Sequence, residues 1–251
     1  SVTLSADGNT AFVADYSSGL QIIDVSNPAS PSLTATYDTS GAAYGVTLSA
    51  DGNTAFVAHS EGNSLSGGLD IIDISNLASP SLTGRHETSG NGFGASVTLS
   101  ADGNTAFVTD YYQGLQIFDI AESFANGDAS VATSPSLTGS LDTSGWSYGL
   151  TISADGNTAF VADSLSGLQI IDVSNPASPS LTATYDTSGA AYDVTLSADG
   201  NTAFVADDSF GLYIIDVSNP ASPSLTGHYN TSGDARGVTL SADGNTAFVA
   251  D

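Results

Sequence analysis

The chain of 251 residues contains no cysteine. Without cysteine neither a disulfide framework nor a thiolate site can form, although this absence does not fix the cellular compartment. Long apolar stretches are missing too, since no run approaches the ~20 residues that a membrane-spanning helix requires. We therefore expect no insertion into a membrane.

Positive charge is almost absent. Arg85 and Arg236 are opposed by 27 acidic residues, and the formal net charge is −25. Because nucleic acids bind through cationic groups, they are excluded as partners, and anionic membrane surfaces are disfavoured for the same reason. The lysine-free composition, rich in Asp, Ser, Thr and Gly, is associated with secreted bacterial proteins. It favours an extracellular or cell-surface location over the alternative, a halophilic cytosolic protein, which would carry far more charge in total.

An internal repeat dominates the sequence. The unit Val2–Gly45 is 44 residues long, and successive units begin 44, 51, 53, 44 and 44 residues apart. The copies start at Val2, Val46, Val97, Leu150, Val194 and Val238. A period of this size indicates one supersecondary element per unit, stable only when packed against its neighbours. We therefore predict a single repeat domain over residues 1–251.

Each unit predicts four short strands. In the first unit, strands A, B, C and D are Val2–Leu4, Thr10–Ala14, Leu20–Val25 and Leu33–Tyr37. An Asp-Gly turn between A and B is a strong hairpin signal, and the two prolines after strand C exclude a helix there. With no helical period anywhere, the pattern predicts an all-β fold, a β-propeller of four-stranded antiparallel blades with five complete repeats and a partial sixth.

Two segments of the unit carry a family resemblance. Gly19–Pro28, with Pro31, resembles the signature of LVIVD-repeat β-propellers, and Ser5–Ala14 is similar to the A–B hairpin of YVTN and WD40 blades. The resemblance covers the whole chain. It implies a bacterial surface or secreted scaffold with no fixed activity, because a fold does not by itself define a function.

The two ends of the chain compete for one position in a closed ring. Five blades would use residues 2–237, and 238–251 would then repeat the segment already supplied by residues 2–15. We therefore expect the sequence to be an excerpt of a longer propeller with six to eight blades. Alternatively, a terminal hairpin is left unpaired and promotes self-association, as open strand edges do.

Comparison of the copies separates constant from variable segments. Ser-Ala-Asp-Gly-Asn-Thr-Ala-Phe-Val occurs six times unchanged, so the A–B hairpin is interpreted as structural. Variation collects in the B–C loop, which includes an eight-residue segment Ser60–Gly67, and in the D–A connection. Both should emerge on one face, and loops on a rigid scaffold are where binding usually resides. The predicted binding residues are Tyr16, Phe93, Tyr111, Tyr112, Trp146, Tyr148 and Phe210.

Aromatic rings beside carboxylates suit sugar rings or neutral protein loops as ligands. The residues that close strand B are expected next to these rings, and they are Asp15, His59, Asp110, Asp163 and Asp207. An alternative interpretation is that Tyr44, Tyr148 and Tyr192 pack around the central channel as part of the core.

No motif predicts catalysis. Gly145–Gly149 matches G-x-S-x-G, but a nucleophile elbow requires a following helix, and none is predicted. His59, His86 and His228 fall at unrelated positions and are interpreted as solvated single residues rather than as a metal site or a general base. We therefore expect no enzyme activity and no catalytic residues.

Calcium is the one ion that the composition favours, because it prefers carboxylate oxygens. The Asp-Gly-Asn turn lacks the spacing of a calcium-binding loop. The aspartates that end strand C are instead expected to accept N–H groups of the next loop, and they are Asp24, Asp73, Asp119, Asp172 and Asp216. We expect no cofactor and no specific metal site, with calcium as the alternative.

Taken together, the sequence predicts a non-enzymatic extracellular scaffold. It would bind an unidentified protein or glycan through the face that bears the B–C and D–A loops. The alternative is a structural or adhesive module of a bacterial surface layer or fibre.

Overall fold

A computed structural model describes residues 1–39, 41–61, 66–89, 94–121 and 134–251. Within these ranges the regular structure is β-strand, and no α-helix is present. The chain divides into two compact units, residues 1–108 with 118–137 and residues 109–117 with 138–251. In the part of the chain described, no helix has the length and apolar character to cross a membrane.

Each repeat forms one sheet, and the strands are numbered in chain order. The first sheet contains β1 (Val2–Leu4), β2 (Thr10–Asp15), β3 (Gly19–Asp24) and β4 (Ser32–Tyr37). The second contains β5 (Gly41–Leu48), β6 (Thr54–Glu61), β7 (Ser66–Asp73) and β8 (Ser81–Ser89). The third contains β9 (Gly94–Leu99), β10 (Thr105–Asp110), β11 (Gly114–Asp119) and β12 (Ser136–Leu141).

The fourth sheet contains β13 (Leu150–Ile152), β14 (Thr158–Ala162), β15 (Leu168–Asp172) and β16 (Ser180–Tyr185). The fifth contains β17 (Ala191–Leu196), β18 (Thr202–Asp207), β19 (Gly211–Asp216) and β20 (Ser224–Tyr229). A two-stranded sheet contains β21 (Gly237–Leu240) and β22 (Ala247–Ala250). In every four-stranded sheet consecutive strands are neighbours. The predicted four-stranded repeat is therefore confirmed.

In the first sheet the predicted strand boundaries hold to within one residue, whereas strand A begins three residues before the repeat start in the third and fifth sheets. The largest difference is in the second sheet. There β5 begins at Gly41 and pairs with β6 as far as Glu61, with a bulge between Ala43 and Gly45. The predicted eight-residue B–C loop is also shorter, because β6 and β7 continue into it and leave only residues 62–65 outside the described part. Extra backbone pairing therefore replaces irregular loop at this hairpin.

The second strand of a sheet is apolar on both faces because it is packed between neighbouring sheets. In β6 of the first unit, Val57 packs in a cluster with Phe12 and Ile72, whereas Phe56 packs in another cluster with Val108 and Phe118. Successive side chains of a strand point to opposite faces, so one β6 strand contributes to two layers of core. Strand B of this repeat therefore lies between two layers of core.

The A–B turn is held by its own side chains. Ser5 Oγ donates to Asp7 Oδ1 at 2.6 Å, and the backbone and side-chain amides of Asn9 donate to the same carboxylate at 3.1 and 2.9 Å. The Ser5 hydroxyl and then the Asn9 amides lower the pKa of Asp7. Gly8 has a φ of 71°, which glycine adopts without a steric penalty. The structural interpretation of this hairpin is confirmed.

The aspartate that ends strand C also has the predicted role. Asp24 Oδ1 accepts the N–H of Ser26 at 2.9 Å, and Asp73 Oδ1 accepts the N–H of Ser75 at 2.8 Å. Asp119, Asp172 and Asp216 accept the equivalent N–H groups. These aspartates therefore organise the loop that leads to the outer strand.

The B–C loop and the following D–A connection meet within each unit. Tyr16 forms an isolated antiparallel bridge with Ala43 in the first unit. Ser164 bridges Ala191 and Asp208 bridges Ala235 in the second. The expectation that these two variable segments emerge at the same end of the sheets is confirmed, and this end carries the residues described below.

Glycine at the end of the B–C loop offers a test of this geometry. Gly167 has a φ of 69°, and a Cβ there would meet the carbonyl oxygen of Tyr185. Gly156 has a similar φ of 75°, but its Cβ would point into open space. The backbone penalty, about 1–2 kcal/mol, is common to both positions. We expect Gly167→Ala to lower the free energy of unfolding by about 1–3 kcal/mol more than Gly156→Ala, because overpacking adds to it. Urea denaturation measures the difference, and equal losses would contradict it.

Candidate functional site

Three of the four aspartates that close strand B are buried rather than exposed, contrary to the prediction, and they are Asp110, Asp163 and Asp207. Asp163 is fully buried, and its carboxylate accepts Thr143 Oγ1 at 2.7 Å, Ser147 Oγ at 2.8 Å and the N–H of Gly145 at 2.8 Å. Asp207 is also buried and holds the next Thr-Ser-Gly segment through Thr187 and Gly189. Burial raises the pKa of Asp207. The hydrogen bonds of these carboxylates hold the D–A connection in position, so the carboxylates are not directed at a ligand.

Of the five residues predicted beside the rings, only Asp15 is exposed. Asp110 is buried and accepts the N–H groups of Tyr112 and Gln113, each at 3.1 Å. The loops could not be built without such acceptors, because buried backbone N–H groups need partners.

His59 is the largest departure from the predictions. It is fully buried instead of solvated, and its Nε2 lies 3.2 Å from Oδ1 of the fully buried Asp70. Asp70 also accepts Arg85 Nε at 2.6 Å and Nη2 at 2.8 Å, a bidentate pair. Burial alone would raise the pKa of Asp70, but His59 and Arg85 together outweigh it and hold this pKa below its usual range. We call His59, Asp70 and Arg85 the buried ion cluster.

The buried ion cluster occupies positions that other repeats fill with neutral pairs. In the first repeat Thr36 Oγ1 donates to Gln21 Oε1 at 3.0 Å, and in the fourth Thr184 donates to Gln169 at 2.9 Å. Gln21 and Thr36 correspond to Asp70 and Arg85 in the alignment of the copies. The second repeat has therefore exchanged a neutral cross-strand hydrogen bond for a charged one.

The other two histidines also have partners. His86 Nδ1 lies 3.1 Å from the carbonyl oxygen of Pro135, and its ring packs 4.8 Å from that of Phe118. His228 is exposed, but its ring packs 4.5 Å from Tyr213. The interpretation as a solvated residue is therefore wrong for the half-buried His86 and agrees with the exposure of His228. Both lie on the outer strand of their sheets, His86 in β8 and His228 in β20.

The predicted binding residues are brought together only in part. Tyr16 is 62% exposed in the first unit, where its ring meets Tyr44 edge to face at 5.5 Å. Phe210 in the second unit packs against Gly189. Phe93 lies outside the described residues. The remaining four, all in the second unit, form one group of rings.

This group is a continuous row. Tyr111 stacks on Trp146 with centroids 5.0 Å apart and an interplanar angle of 18°, and Tyr112 meets Tyr111 at 4.8 Å. Tyr148 packs edge to face on Tyr111 at 5.2 Å, and Tyr148 Oη donates to Tyr111 Oη at 3.2 Å. Tyr192 continues the row at 4.6 Å from Tyr148. Burial, and then Tyr111, raises the pKa of Tyr148, so this phenol remains neutral.

The exposure of Tyr148 and Tyr192 bears on the alternative interpretation, in which they pack around the central channel as part of the core. Both are half-buried, so they are neither core residues nor fully displayed. They hold equivalent positions in successive repeats, which explains why their rings stand side by side.

The row ends in a cation. Arg236 occupies the position equivalent to Tyr148 and Tyr192, and its guanidinium carbon lies 4.3 Å from the Tyr192 ring centroid. Its Nη2 is 3.5 Å from Asp208 Oδ1 and 3.6 Å from Asp234 Oδ2, and its side chain is 55% exposed. A guanidinium over an aromatic face is attracted by the ring quadrupole. These contacts fix the position of the Arg236 guanidinium, which is accessible as a hydrogen-bond donor.

A partly buried carboxyl is hydrogen-bonded to the segment that carries this cation. Asp193 follows Tyr192, at a position that is glycine in the equivalent connections Gly45, Gly149 and Gly237. Its Oδ1 accepts the N–H of Val194 at 2.9 Å, and its Oδ2 accepts the N–H of Val238, two residues beyond Arg236, at 2.9 Å.

Burial raises the pKa of Asp193, although these two N–H groups act in the opposite direction. The strand is bulged between Ala191 and Asp193. Bulges re-aim side chains and are common beside active sites.

We call Asp193, Arg236 and Tyr192 the candidate site. This site was not predicted because the prediction relied on variable loops that display aromatic rings. The available signal was a charged residue at a position that is neutral in the other repeats: Asp193 stands where Gly45, Ser96, Gly149 and Gly237 stand, and Arg236 stands where Tyr44, Ala95, Tyr148 and Tyr192 stand. The same signal marks His59, Asp70 and Arg85 in the first unit.

The four-stranded antiparallel sheets, repeated along the chain, define a β-propeller. A family model, the LVIVD repeat, matches residues 2–39, 40–88, 94–143, 149–187 and 188–231. The chain therefore belongs to the LVIVD-repeat family, and both the predicted fold class and the predicted family are confirmed. A comparison with curated proteins finds no significant sequence match.

Solved structures with the same fold are numerous and distant in sequence. The periplasmic gluconolactonase PpgL of Pseudomonas aeruginosa is 18% identical, with a TM-score of 0.80 over 99% of this chain and 77% of the other. A functionally unknown protein from Desulfotomaculum acetoxidans is 17% identical, with a TM-score of 0.74 and the same coverages. The Cps50 (Swd1) β-propeller domain of Myceliophteria thermophila is 13% identical, with a TM-score of 0.73 and again 99% and 77% coverage.

These comparisons correct the functional prediction. The absence of enzyme activity was inferred from the lack of a catalytic motif, and the scaffold from the variable aromatic loops together with the family resemblance. A protein of the same fold, the gluconolactonase, is an enzyme. The prediction of a scaffold without activity is therefore wrong, and so is the adhesive module offered as its alternative.

Proposed function

We propose that the chain is a hydrolase of sugar-derived lactones and that the reaction takes place at the candidate site. The observation that carries this proposal is the hydrogen bond that joins a partly buried carboxyl, Asp193, to the segment bearing an accessible guanidinium, Arg236, at the end of a row of aromatic rings. The fold shared with a gluconolactonase supports the choice of substrate class.

The chemistry of the site suits the attack of water on a cyclic ester. Arg236 donates hydrogen bonds to the lactone carbonyl oxygen and stabilises the negative charge that develops on it. The Asp193 carboxylate takes a proton from water while the water oxygen bonds to the carbonyl carbon. The ring C–O bond then breaks, and the Asp193 carboxylic acid returns the proton to the departing ring oxygen. The product is an aldonic acid, which releases a proton to solvent.

The environment of Asp193 supports its role in this proton transfer. Each of its oxygens accepts one backbone N–H and keeps a lone pair for water. A raised pKa makes the carboxylate a stronger base than an exposed aspartate. The two backbone donors also fix the orientation of the carboxyl, and a fixed orientation favours the reaction.

The charge of the whole chain favours turnover. The lactone is neutral, whereas the aldonate product is an anion that leaves a protein with a formal net charge of −25. A field of one sign accelerates the departure of a like-charged product. The reaction as written uses side chains of the protein alone, and calcium binding stays a prediction from the composition.

Replacement of the cation tests the proposal. Arg236→Tyr restores the residue that the equivalent positions carry, so we expect the fold to be unchanged. Loss of the guanidinium removes the donor to the carbonyl oxygen, and we expect kcat/KM for glucono-1,5-lactone to fall about 10- to 100-fold. Proton release at constant pH, corrected for spontaneous hydrolysis, measures the rate.

Asp234→Asn is the matched control for Arg236→Tyr, because it removes a charge close to Arg236 without removing the donor. We expect it to retain most of the activity. A wild-type rate equal to spontaneous hydrolysis would refute the proposal. Equal losses in Arg236→Tyr and Asp234→Asn would move the reaction away from the guanidinium.

We also infer that the protein works outside the cytoplasm. The gluconolactonase of the same fold is periplasmic, and the lysine-free acidic composition is in keeping with export. Fractionation of the producing cells, followed by detection of the chain with an antibody, tests this inference. Recovery in the cytoplasmic fraction alone would contradict it.

A further inference from the structure

The part of the aromatic row that lies away from Arg236 has no role in the chemistry proposed above. Trp146 and Tyr112 are 48% and 47% exposed, which is unusual for large rings that pack on one another. Tyr148 separates them from Tyr192 and therefore from the candidate site. We call Tyr111, Tyr112 and Trp146 the distal platform.

The side chains of the distal platform are held in place by contacts between their rings. Tyr111 supports Trp146 face to face and Tyr112 edge to face, and Tyr148 fixes Tyr111 through both a ring contact and a hydroxyl pair. A side chain held in this way loses little conformational entropy when a ligand binds. The platform therefore presents a large, pre-organised aromatic surface to solvent.

Among the residues that the structure describes, those around the platform are polar, and the one cation–ring contact is that of Arg236 with Tyr192. Ser144 Oγ donates to Ser166 Oγ at 3.1 Å on the exposed surface two residues before Trp146, and Asp142 is exposed close by in the chain. A ligand for this place needs one apolar face for the rings and hydroxyl groups around its edge. A pyranose has this shape, with C–H groups on its faces and hydroxyls at its rim. An anionic ligand would meet the acidic charge of the chain without compensation.

We propose that the distal platform is a subsite for a second, neutral sugar ring, so that the preferred substrate is an aldonolactone that carries a glycosyl group. This inference rests on the proposed function, because the candidate site would hold the lactone ring while the platform holds the sugar attached to it. The row joins the two places through Tyr148 and Tyr192, with ring-to-ring distances of 5.2 and 4.6 Å.

Trp146 is the single tryptophan of the chain, so its fluorescence reports directly on the platform. The probes are gluconate and cellobionate, the products from glucono-1,5-lactone and from its glucosylated analogue, which carry the same charge and differ by one glucosyl group. The titrations are made at about 1 M salt, which screens the repulsion between these anions and the acidic chain. We expect cellobionate to change the Trp146 emission and to bind about tenfold more tightly than gluconate, since a stacking contact has this magnitude. Tyr112→Ala keeps the reporter and should remove the difference.

Tyr16→Ala is the matched control, because Tyr16 is the exposed ring at the position equivalent to Tyr111 and has a different neighbour. We expect it to leave both titrations unchanged. Cellobionate that leaves Trp146 emission unaltered, or binds no better than gluconate, would overturn the subsite.

Steady-state kinetics distinguish failure of the subsite from failure of the proposed hydrolase function. With both correct, kcat/KM for cellobiono-1,5-lactone exceeds that for glucono-1,5-lactone about tenfold, and Trp146→Ala removes the advantage through KM. Hydrolysis of both lactones at equal kcat/KM would overturn the subsite alone. A fluorescence response to cellobionate without hydrolysis of either lactone would overturn the hydrolase and support the subsite.

Discussion

Asp193→Asn is expected to lower kcat for glucono-1,5-lactone by about 100-fold or more, the usual contribution of a positioned general base. The amide cannot take a proton from water at neutral pH. It retains the size and shape of the carboxyl, so binding of the lactone, and with it KM, should change little. Proton release under saturating substrate measures kcat directly.

The pH dependence of the wild-type protein follows from the same carboxyl. Burial raises the pKa of Asp193, so the carboxylate is lost at a higher pH than an exposed aspartate would be. We expect kcat to fall on acidification through this raised pKa. The residual kcat of Asp193→Asn should not fall on acidification in this way. If the variant loses kcat with the same midpoint pH as the wild type, the loss belongs to another group.

The ionised carboxyl of Asp193 should also lower the stability of the folded protein. A folded-state pKa above the unfolded value means that the folded protein binds the proton more tightly, so stability decreases as the pH rises through the folded pKa. At neutral pH the ionised group is therefore unfavourable. We expect Asp193→Gly, which restores the residue found at Gly45, Gly149 and Gly237, to be inactive but no less stable. An inactive variant that also unfolds readily would indicate a structural role instead.

The largest expected effect on stability is at the buried ion cluster. Asp70→Asn is expected to lower the free energy of unfolding by about 3–5 kcal/mol, because it leaves the charge of Arg85 and the imidazole of His59 without a carboxylate. A typical domain is stable by about 5–15 kcal/mol, so the loss should be evident in urea denaturation. Fluorescence of Trp146 and circular dichroism follow the transition.

A triple variant separates the cost of an unpaired charge from the value of the cluster. His59→Asp, Asp70→Gln and Arg85→Thr together rebuild the set that the first and fourth repeats carry at these positions. We expect it to recover most of the stability, since a neutral pair of similar volume often replaces a buried ion pair without loss. A triple variant as unstable as Asp70→Asn would show that the second repeat needs its charges.

Acidification gives an independent check on the buried ion cluster. The pKa of Asp70 is depressed in the folded protein, so its contribution is present above the unfolded pKa and is lost as the pH falls through the folded pKa. We expect the wild type to lose more stability than the triple variant between neutral and acidic pH. Equal losses of stability in the wild type and in the triple variant would show that the buried ion cluster does not cause this acid sensitivity.

The repeat and its strands could be predicted from the sequence because local signals agree with the fold. The Asp7-Gly8 turn closes its hairpin with hydrogen bonds among three neighbouring residues, so no distant contact is needed to form it. The two-sided apolar pattern of strand B predicted its position between layers, and Phe56 and Val57 confirm it. That the sequence is an excerpt of a longer propeller, and that terminal hairpins promote self-association, stay predictions.

The candidate site could not be predicted in the same way, because its members belong to different repeats. Arg236 reaches Tyr192, and Asp193 reaches Val238, across 44 or 45 residues of sequence. Such contacts arise only when successive repeats pack side by side. Aromatic content in variable loops did predict Tyr111, Tyr112, Trp146 and Tyr148 as a group, but it overrated the aspartates at the ends of strand B.

His59 shows why composition misled the interpretation of the histidines. In sequence it is one polar residue at a loop, which is usually solvated. In the fold Asp70 and Arg85, on two further strands of the same sheet, bring their charges to it. The available signal was that three aligned positions differ from the other copies within a single repeat. In near-identical repeats, such deviations identify specialised sites better than residue type does.

A crystal structure with gluconolactam, in which N–H replaces the ring oxygen and resists hydrolysis, tests the lactone hydrolase most directly. We expect its carbonyl oxygen to accept a hydrogen bond from Arg236 and its carbonyl carbon to face the carboxyl of Asp193. A lactam bound elsewhere on the chain, or none bound at saturating concentration, would contradict this site and the reaction assigned to it.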